Sequence, residues 1–149
     1  MQPSIWNTQN SGPIQLSLFK DDGADRAATD TLSRIIYAET GASSLRAVEA
    51  LASMARNLCA KSGRPLPEII ADETIFESIC QNSARHQNLF VNSDRADFQM
   101  CARVVNRAAR GVLCDTVMGA TRFHRGSEFP DWSTAAGYVA EIDGLFFYP

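Results

Sequence analysis

Glu39 is the first residue whose type and place could do chemistry. It closes the apolar run Ile35-Ile36-Tyr37-Ala38, immediately before Thr40-Gly41. Leu32, Ile35, Ile36 and Ala38 form a helical stripe that Gly41 ends, so Glu39 belongs to a last helical turn. The C-terminal end of a helix carries partial negative charge and disfavours a carboxylate by about 0.3–1 kcal/mol. That field, and burial beside Tyr37, favour the protonated acid. A carboxylic acid kept protonated near neutral pH is what a glycosidase uses to protonate a leaving oxygen. The competing reading is a solvated glutamate at a frayed helix end. Glu77 follows Phe76 in the possible strand Thr74–Cys80. It is a candidate second carboxylate across a cleft, acting as base or nucleophile, or else a solvent-facing residue on an edge strand.

The remaining reactive types are sparse. His86 lies in a polar loop and His124 in an aromatic, Arg-flanked strand. A metal site needs three or four ligands at a recognisable spacing, and none is present, so neither a metal nor a cofactor is expected. The four cysteines, Cys59, Cys80, Cys101 and Cys114, show no C-x-x-C pair. They read as free, mostly buried thiols. A Cys-His amidase or peptidase would use Cys80 or Cys59 as nucleophile and His124 as base, but no local signature marks one. Arg103, Arg107 and Arg110 share one outer helix face, which either grips an anionic polymer or is simply wet. The aromatics Phe123, Phe129, Trp132, Tyr138, Phe146, Phe147 and Tyr148 cluster late. They form the sheet side of a core or stack on sugar rings, with Trp132, after Pro130-Asp131, the best-exposed stacker.

The elements that position these residues are read from periodicity. The spacing predicts order from about Asp30, with Asp30 or Thr31 as a helix cap. A second helix follows Ser43 or Ser44, with Leu45, Val48, Leu51, Ala52, Ala55, Leu58 and Cys59 on one face, stopped by Gly63 and Pro65. Its alanines make it slim enough for central burial. Leu66–Ile70 reads as a short helix with proline at its start. Gln81–Asn92 reads as a surface loop. A third long helix starts at Ser93 or Asp94, carries Phe98, Cys101, Val104, Val105 and Ala108 inward, and ends at Gly111. Thr121–Arg125 is expected to be extended. Asp143-Gly144 between Tyr138–Ile142 and Leu145–Tyr148 is a strong hairpin signal. The fold class is therefore α+β, mostly helical, with a small antiparallel sheet near the C-terminus. Residues 1–29 read as an irregular arm, with a possible short strand at Ile14–Phe19, and residues 30–149 as one domain.

Composition narrows the function classes. The 149 residues are 45% hydrophobic and 21% charged, enough for one core. A net charge of −3 argues against a dedicated nucleic-acid binder and gives no reason to seek an anionic membrane. No apolar run of about 18 residues exists, so no stable membrane insertion is expected. The first residues carry no basic n-region and no apolar h-region, so the chain is expected to be cytoplasmic at synthesis.

Several segments, taken in order, resemble one family. Ile36-Tyr37-Ala38-Glu39-Thr40-Gly41 resembles the Tyr-Ala-Glu-Ala-Arg-Gly-Glu block of the SleB/CwlJ-type cell wall hydrolases, the spore cortex-lytic enzyme family. Ala47 to Asn57 resembles that family's Ala/Val-rich helix ending in Asn-Arg. Ile75-Phe76-Glu77-Ser78-Ile79-Cys80 is similar to its Gln-Phe-Ser block. Gly119-Ala120-Thr121-Arg122-Phe123-His124 resembles its Gly-Ala-x-x-Phe-(His/Tyr) strand, and Ile142 to Tyr148 its closing Ile-Gly-x-His-x-Phe-Tyr. The chain departs from the pattern at three places. The second family Glu has no counterpart in Thr40-Gly41-Ala42-Ser43, Leu145 stands at the closing His, and Ile75 stands at the Gln.

The resemblance implies a lysozyme-related fold and cleavage of peptidoglycan, with Glu39 as the catalytic residue. Family members are similar to lytic transglycosylases, which cut the β-1,4 bond between N-acetylmuramic acid and N-acetylglucosamine and need no metal or cofactor. Tyr37, Phe76, Glu77, Phe123, His124 and Trp132 are then expected to bind substrate. The expected partner is peptidoglycan, not nucleic acid. The expected place of action is the periplasmic or extracellular wall after release, through a holin-type pore or from a phage or gene-transfer particle. The alternative is a non-catalytic wall-binding or structural module.

Overall fold

A computed structural model describes residues 23–134 and 137–149. Helix α1 spans Gly23–Thr40, α2 Leu45–Ser62, the one-turn α3 Leu66–Ile69 and α4 Ala96–Ala109; strands β1 (Arg122–Arg125), β2 (Ala140–Ile142) and β3 (Leu145–Tyr148) follow. Single 3₁₀ turns occupy Glu77–Ile79, His86–Phe90 and Asp131–Thr134. The fold is α+β and mostly helical, with a small antiparallel sheet late in the chain. The expected strand at Ile14–Phe19 falls outside the described residues.

Helix α1 begins at Gly23, not near Asp30, so the expected arm is helical in its last residues. Asp30 is no cap: its carboxylate accepts from Arg34 Nε at 3.0 Å, an i,i+4 pair inside the helix. Ala28, Leu32, Ile35, Ile36 and Ala38 are buried. The helix stops at Gly41, whose φ of +65° lies in the left-handed region and whose N–H donates to Tyr37 O at 2.7 Å.

Helix α2 is the central rod. Ser44 caps it by accepting from Ala47 N–H at 3.0 Å, and Gly63 closes it with φ of +74°. Ala47, Val48, Ala50, Leu51, Ala52, Ser53, Met54 and Ala55 are all buried, so the helix is covered on more than one face. The alanines let α1 and α4 approach it. Leu45, expected on the core face, is 48% exposed. Helix α4 starts at Ala96, later than Ser93 or Asp94, because Asp94 N–H is taken by Asn92 Oδ1 in a preceding turn. Phe98, Cys101, Val104, Val105 and Ala108 point inward, while Arg103, Arg107 and Arg110 are exposed.

Thr74–Cys80 is not a strand. Asp72 Oδ1 accepts from both the N–H and the hydroxyl of Thr74, and Asp72 O accepts from Ile75 and Phe76 N–H. These local bonds use the donors that a ladder would need. The sheet order is β1-β3-β2, all antiparallel, with Arg125 opposite Leu145 and Arg122 opposite Tyr148. Asp143 and Gly144 have φ of +51° and +83°, the two positive values that a type I′ hairpin requires.

Candidate functional site

Glu39 ends α1 against β1. Its side chain is 0% exposed, and both carboxylate oxygens are held. Oε2 accepts from the backbone N–H of Ser78 at 2.8 Å. Oε1 accepts from Arg125 Nη2 at 2.7 Å, and the same nitrogen donates to the Glu39 carbonyl at 2.5 Å. One guanidinium thus serves two groups, the buried carboxylate and an orphan carbonyl at the negative end of α1. An isolated acid at a helix end was the expectation. The structure instead supplies a cation from a strand 86 residues away, which compensates the buried carboxylate.

Ser78 links the pair to the 72–92 segment. Its N–H serves Glu39, and its carbonyl accepts from His86 Nδ1 at 2.9 Å. The Ser78 hydroxyl is buried and has no hydrogen-bond partner among the described residues. Glu77 lies beside it on a 3₁₀ turn, not on a strand. Its Oε2 accepts from Ser83 Oγ at 2.5 Å and Arg85 Nη1 at 3.3 Å. The Ser83 hydroxyl chiefly, with Arg85 and Arg125 nearby, holds the Glu77 carboxyl below the usual glutamate range.

Three clefts adjoin along this face. The Glu39 cleft holds about 440 Å³ and is walled by Thr40, Ser43, Arg85, Arg125, Ser127 and Asp143. The aromatic cleft, also about 440 Å³, is walled by Glu73, Glu77, His124, Phe129 and Trp132. A third, of about 330 Å³, lies beside Arg64, Asp72 and Arg122. Arg125 lines the first two, and Thr74, Ile75, Phe123 and Trp132 line the last two. Shared wall residues set the clefts side by side as a broken groove along this face.

The expected site residues divide. Glu39, Glu77, Phe123, His124 and Trp132 all line this groove. Phe76 does not: it is fully buried, tilted against Phe123 with ring centres 6.3 Å apart, and belongs to the core. Tyr37 does not line it either; its hydroxyl faces Asp97 at 3.4 Å and its ring meets Phe98 edge-on. Trp132, expected as the best-exposed stacker, is half-buried, with the Arg122 guanidinium 4.4 Å from its ring centre. Phe129, 73% exposed beside His124, is the open aromatic of the cleft.

His124 is no free base. Its Nδ1 lies 2.6 Å from the Arg125 carbonyl, which can only accept, so Nδ1 carries the proton. Its Nε2 then accepts from Tyr148 OH at 2.9 Å. The ring stacks on Phe146 and Tyr148. Burial pushes the Cys59 thiol up to about 12, far from a reactive thiolate, and no hydrogen bond joins Cys59 or Cys80 to His124 among the described residues. Of the cysteines, all free, Cys59 and Cys101 are buried, Cys80 is half-buried and Cys114 is exposed. Among the described residues no group of His, Cys, Asp or Glu is placed to hold a metal ion, and no helix is long and apolar enough to cross a membrane.

Arg125 is the residue that sequence reasoning missed. The sequence shows it only as a charged residue closing the extended run Phe123-His124-Arg125, with no sign of its partner. No family model, curated protein or solved structure matches the chain.

Proposed function

We propose that the chain is a peptidoglycan glycan-strand hydrolase of the lytic transglycosylase type, lysozyme-related in fold, with Glu39 as its acid and base. The observation that carries this reading is the Glu39 carboxylate, buried at the wall of a cleft and anchored by Ser78 N–H and Arg125. The ordered resemblance to the SleB/CwlJ-type hydrolases supports it independently. Protonated Glu39 gives its proton to the glycosidic oxygen as the bond to the muramyl anomeric carbon breaks. The resulting carboxylate takes the proton of the muramyl 6-hydroxyl as that oxygen closes a 1,6-anhydro ring. One carboxyl group completes both transfers, and no water is consumed. Phe129 offers its exposed face to a sugar ring.

Digestion of purified sacculi followed by mass spectrometry of the muropeptides tests this. Anhydro-muropeptides are the expected product, and reducing ends would point to a muramidase instead. Replacing a general acid typically lowers the rate about 10²–10⁴-fold, so Glu39→Gln should release almost nothing. Equal product from the variant, with its circular dichroism unchanged, removes Glu39 from the chemistry.

One observation favours a second reading. A side chain 0% exposed and clamped to Arg125 also serves as a clip between α1 and β1, and a wall-binding module needs nothing more. That reading predicts pull-down of the protein with sacculi and no fragment released by either form.

A further inference from the structure

Three arginines of α4 play no part in the groove. Arg103, Arg107 and Arg110 are exposed along one stripe of the helix, and the structure brings two cations of α2 beside them. Arg56 Nη1 donates to Ala108 O at 2.5 Å, with its guanidinium over Gly111, and Lys61 Nζ donates to Gly119 O at 2.6 Å. Two carboxylates are bonded into this side. Glu49 pairs with Arg107 at 3.6 Å, and Asp115 accepts from Asn57 and from the N–H groups of Val117 and Gly119. The side chains of Arg103 and Arg110 have no partner among the described residues. This side is therefore positive, in a chain whose net charge is −3. The negative end of α4 accounts for cations in its last turn, but not for what lies next to them.

The cations flank loop 111–119, which is firmly fastened to α2. Ser53 Oγ donates to Cys114 O at 3.3 Å and accepts from Thr116 N–H at 3.4 Å, and Asn57 Nδ2 donates to Ala120 O at 3.1 Å. Val117 is buried and Leu113 packs against the core, so the loop has its inward anchors. Val112 and Met118 nonetheless face water, 61% and 75% exposed. Met118 sits at a φ of +53°, in the left-handed region that glycine adopts without cost. A glycine there would make the same turn with less strain, so methionine contributes its side chain and not the turn. A soluble polyanion would engage the cations and leave both apolar side chains in water. An anionic bilayer has a use for both, phosphates for the cations and the edge of the acyl layer for the apolar pair.

We propose that loop 111–119 and the arginine stripe of α4 form a docking face for an anionic lipid bilayer, with Val112 and Met118 entering the headgroup boundary and the surrounding cations meeting lipid phosphates. The contact is peripheral, and the loop's bonds to α2 let it approach a drier boundary with those groups already paired. Mean charge conceals such a face, because the carboxylates that outweigh the cations lie elsewhere in the chain.

The probe is a vesicle of phosphatidylcholine and phosphatidylglycerol, compared with one of phosphatidylcholine alone. Co-sedimentation of the full chain reads the partition. Binding should favour the anionic vesicle about tenfold or more, and should weaken as salt is raised. One cation near an anionic leaflet changes binding about fivefold, so Arg103→Gln combined with Arg110→Gln should lower it about twenty-five-fold. Met118→Gly should lower it about five- to tenfold, while its urea unfolding midpoint stays the same or rises. That split separates a contact residue from a structural one. Circular dichroism checks the fold of each variant. If the double variant does not fold, the salt series and Met118→Gly still decide. Equal binding to the two vesicles, binding to neither, or full binding by Met118→Gly overturns the proposal. Capture by soluble polyphosphate without vesicle binding also overturns it, and puts a dissolved polyanion on this face instead. The measurement uses no sacculi, so its outcome does not turn on the hydrolase reading.

Discussion

Arg125→Met should destabilise the protein more than Glu39→Gln does, and the asymmetry follows from exposure. Without Arg125, the Glu39 carboxylate stays in a position 0% exposed and keeps only the Ser78 N–H. Removing one partner of a buried ion pair costs about 3–5 kcal/mol, because the other charge is left uncompensated. The lost bond to the Glu39 carbonyl contributes about 1 kcal/mol of that. Glu39→Gln leaves a different situation. The amide oxygen still accepts from Ser78, and Arg125, at 14% exposure, keeps donors that reach the cleft, so about 1–3 kcal/mol is expected. In the double variant no buried charge remains. Its loss should fall short of the sum of the singles by about 1–3 kcal/mol, the coupling of the pair. For a chain of this size about 1 kcal/mol moves the Tm by about 2–4 °C, so Arg125→Met should melt roughly 6–20 °C lower. Urea unfolding followed by circular dichroism gives each value, with equal m-values as the check on two-state behaviour. Additive losses, or less than about 1 kcal/mol for Arg125→Met, would show that the pair does not hold α1 to β1. A reversed order of the singles would show that the unpaired arginine, not the unpaired carboxylate, is the costly remnant.

Ser83→Ala should raise the NMR titration midpoint of Glu77, since the Ser83 hydroxyl is the main cause of its lowered value. The folded value lies below the unfolded one of about 4.3, so Glu77 stabilises the fold above that pH and loses the contribution as pH falls through its folded value. The variant should therefore show a flatter loss of stability in acid, and an unmoved midpoint would refute the assignment. Burial pushes the Cys59 and Cys101 thiols up to about 12, so iodoacetamide at pH 8 should label exposed Cys114 and spare those two until urea is added. Mass spectrometry of the adducts reads this, and rapid labelling of Cys59 in the folded chain would contradict it. Ser78→Ala removes a buried hydroxyl without a partner among the described residues and keeps the backbone N–H on Glu39, so its stability should be unchanged or higher by up to about 1 kcal/mol. A loss above about 2 kcal/mol in urea unfolding would show that the hydroxyl is engaged.

What was legible in the sequence is what local geometry decides. Gly41 and Gly63 mark helix ends because left-handed φ is open to glycine, and Asp143-Gly144 marks the hairpin for the same reason. The inward stripe of α4 follows from a period of 3.6 alone. Glu39 could be singled out because an acid at the end of an apolar helix is out of place. The failures are cases where one signal has two meanings. Asp30 looks like a cap and is an interior ion-pair partner of Arg34; Thr74 looks like the start of a strand and instead joins Asp72 in a turn that uses up its donors. Phe76 fits a site motif and fills the core. Arg125 was illegible as a partner because no spacing rule reaches from a helix end to a strand so far along the chain.

The strand order β1-β3-β2 places the latest strand between the two earlier ones, so β1 has no ladder until Leu145–Tyr148 exists. On a ribosome the helices can find one another first, since their contacts come from earlier segments. Arg125 is not aimed at Glu39 until β3 is made, and the nascent chain carries no finished groove. Order of synthesis thus leaves the Glu39–Arg125 clip to be closed last, once the body that carries it already exists.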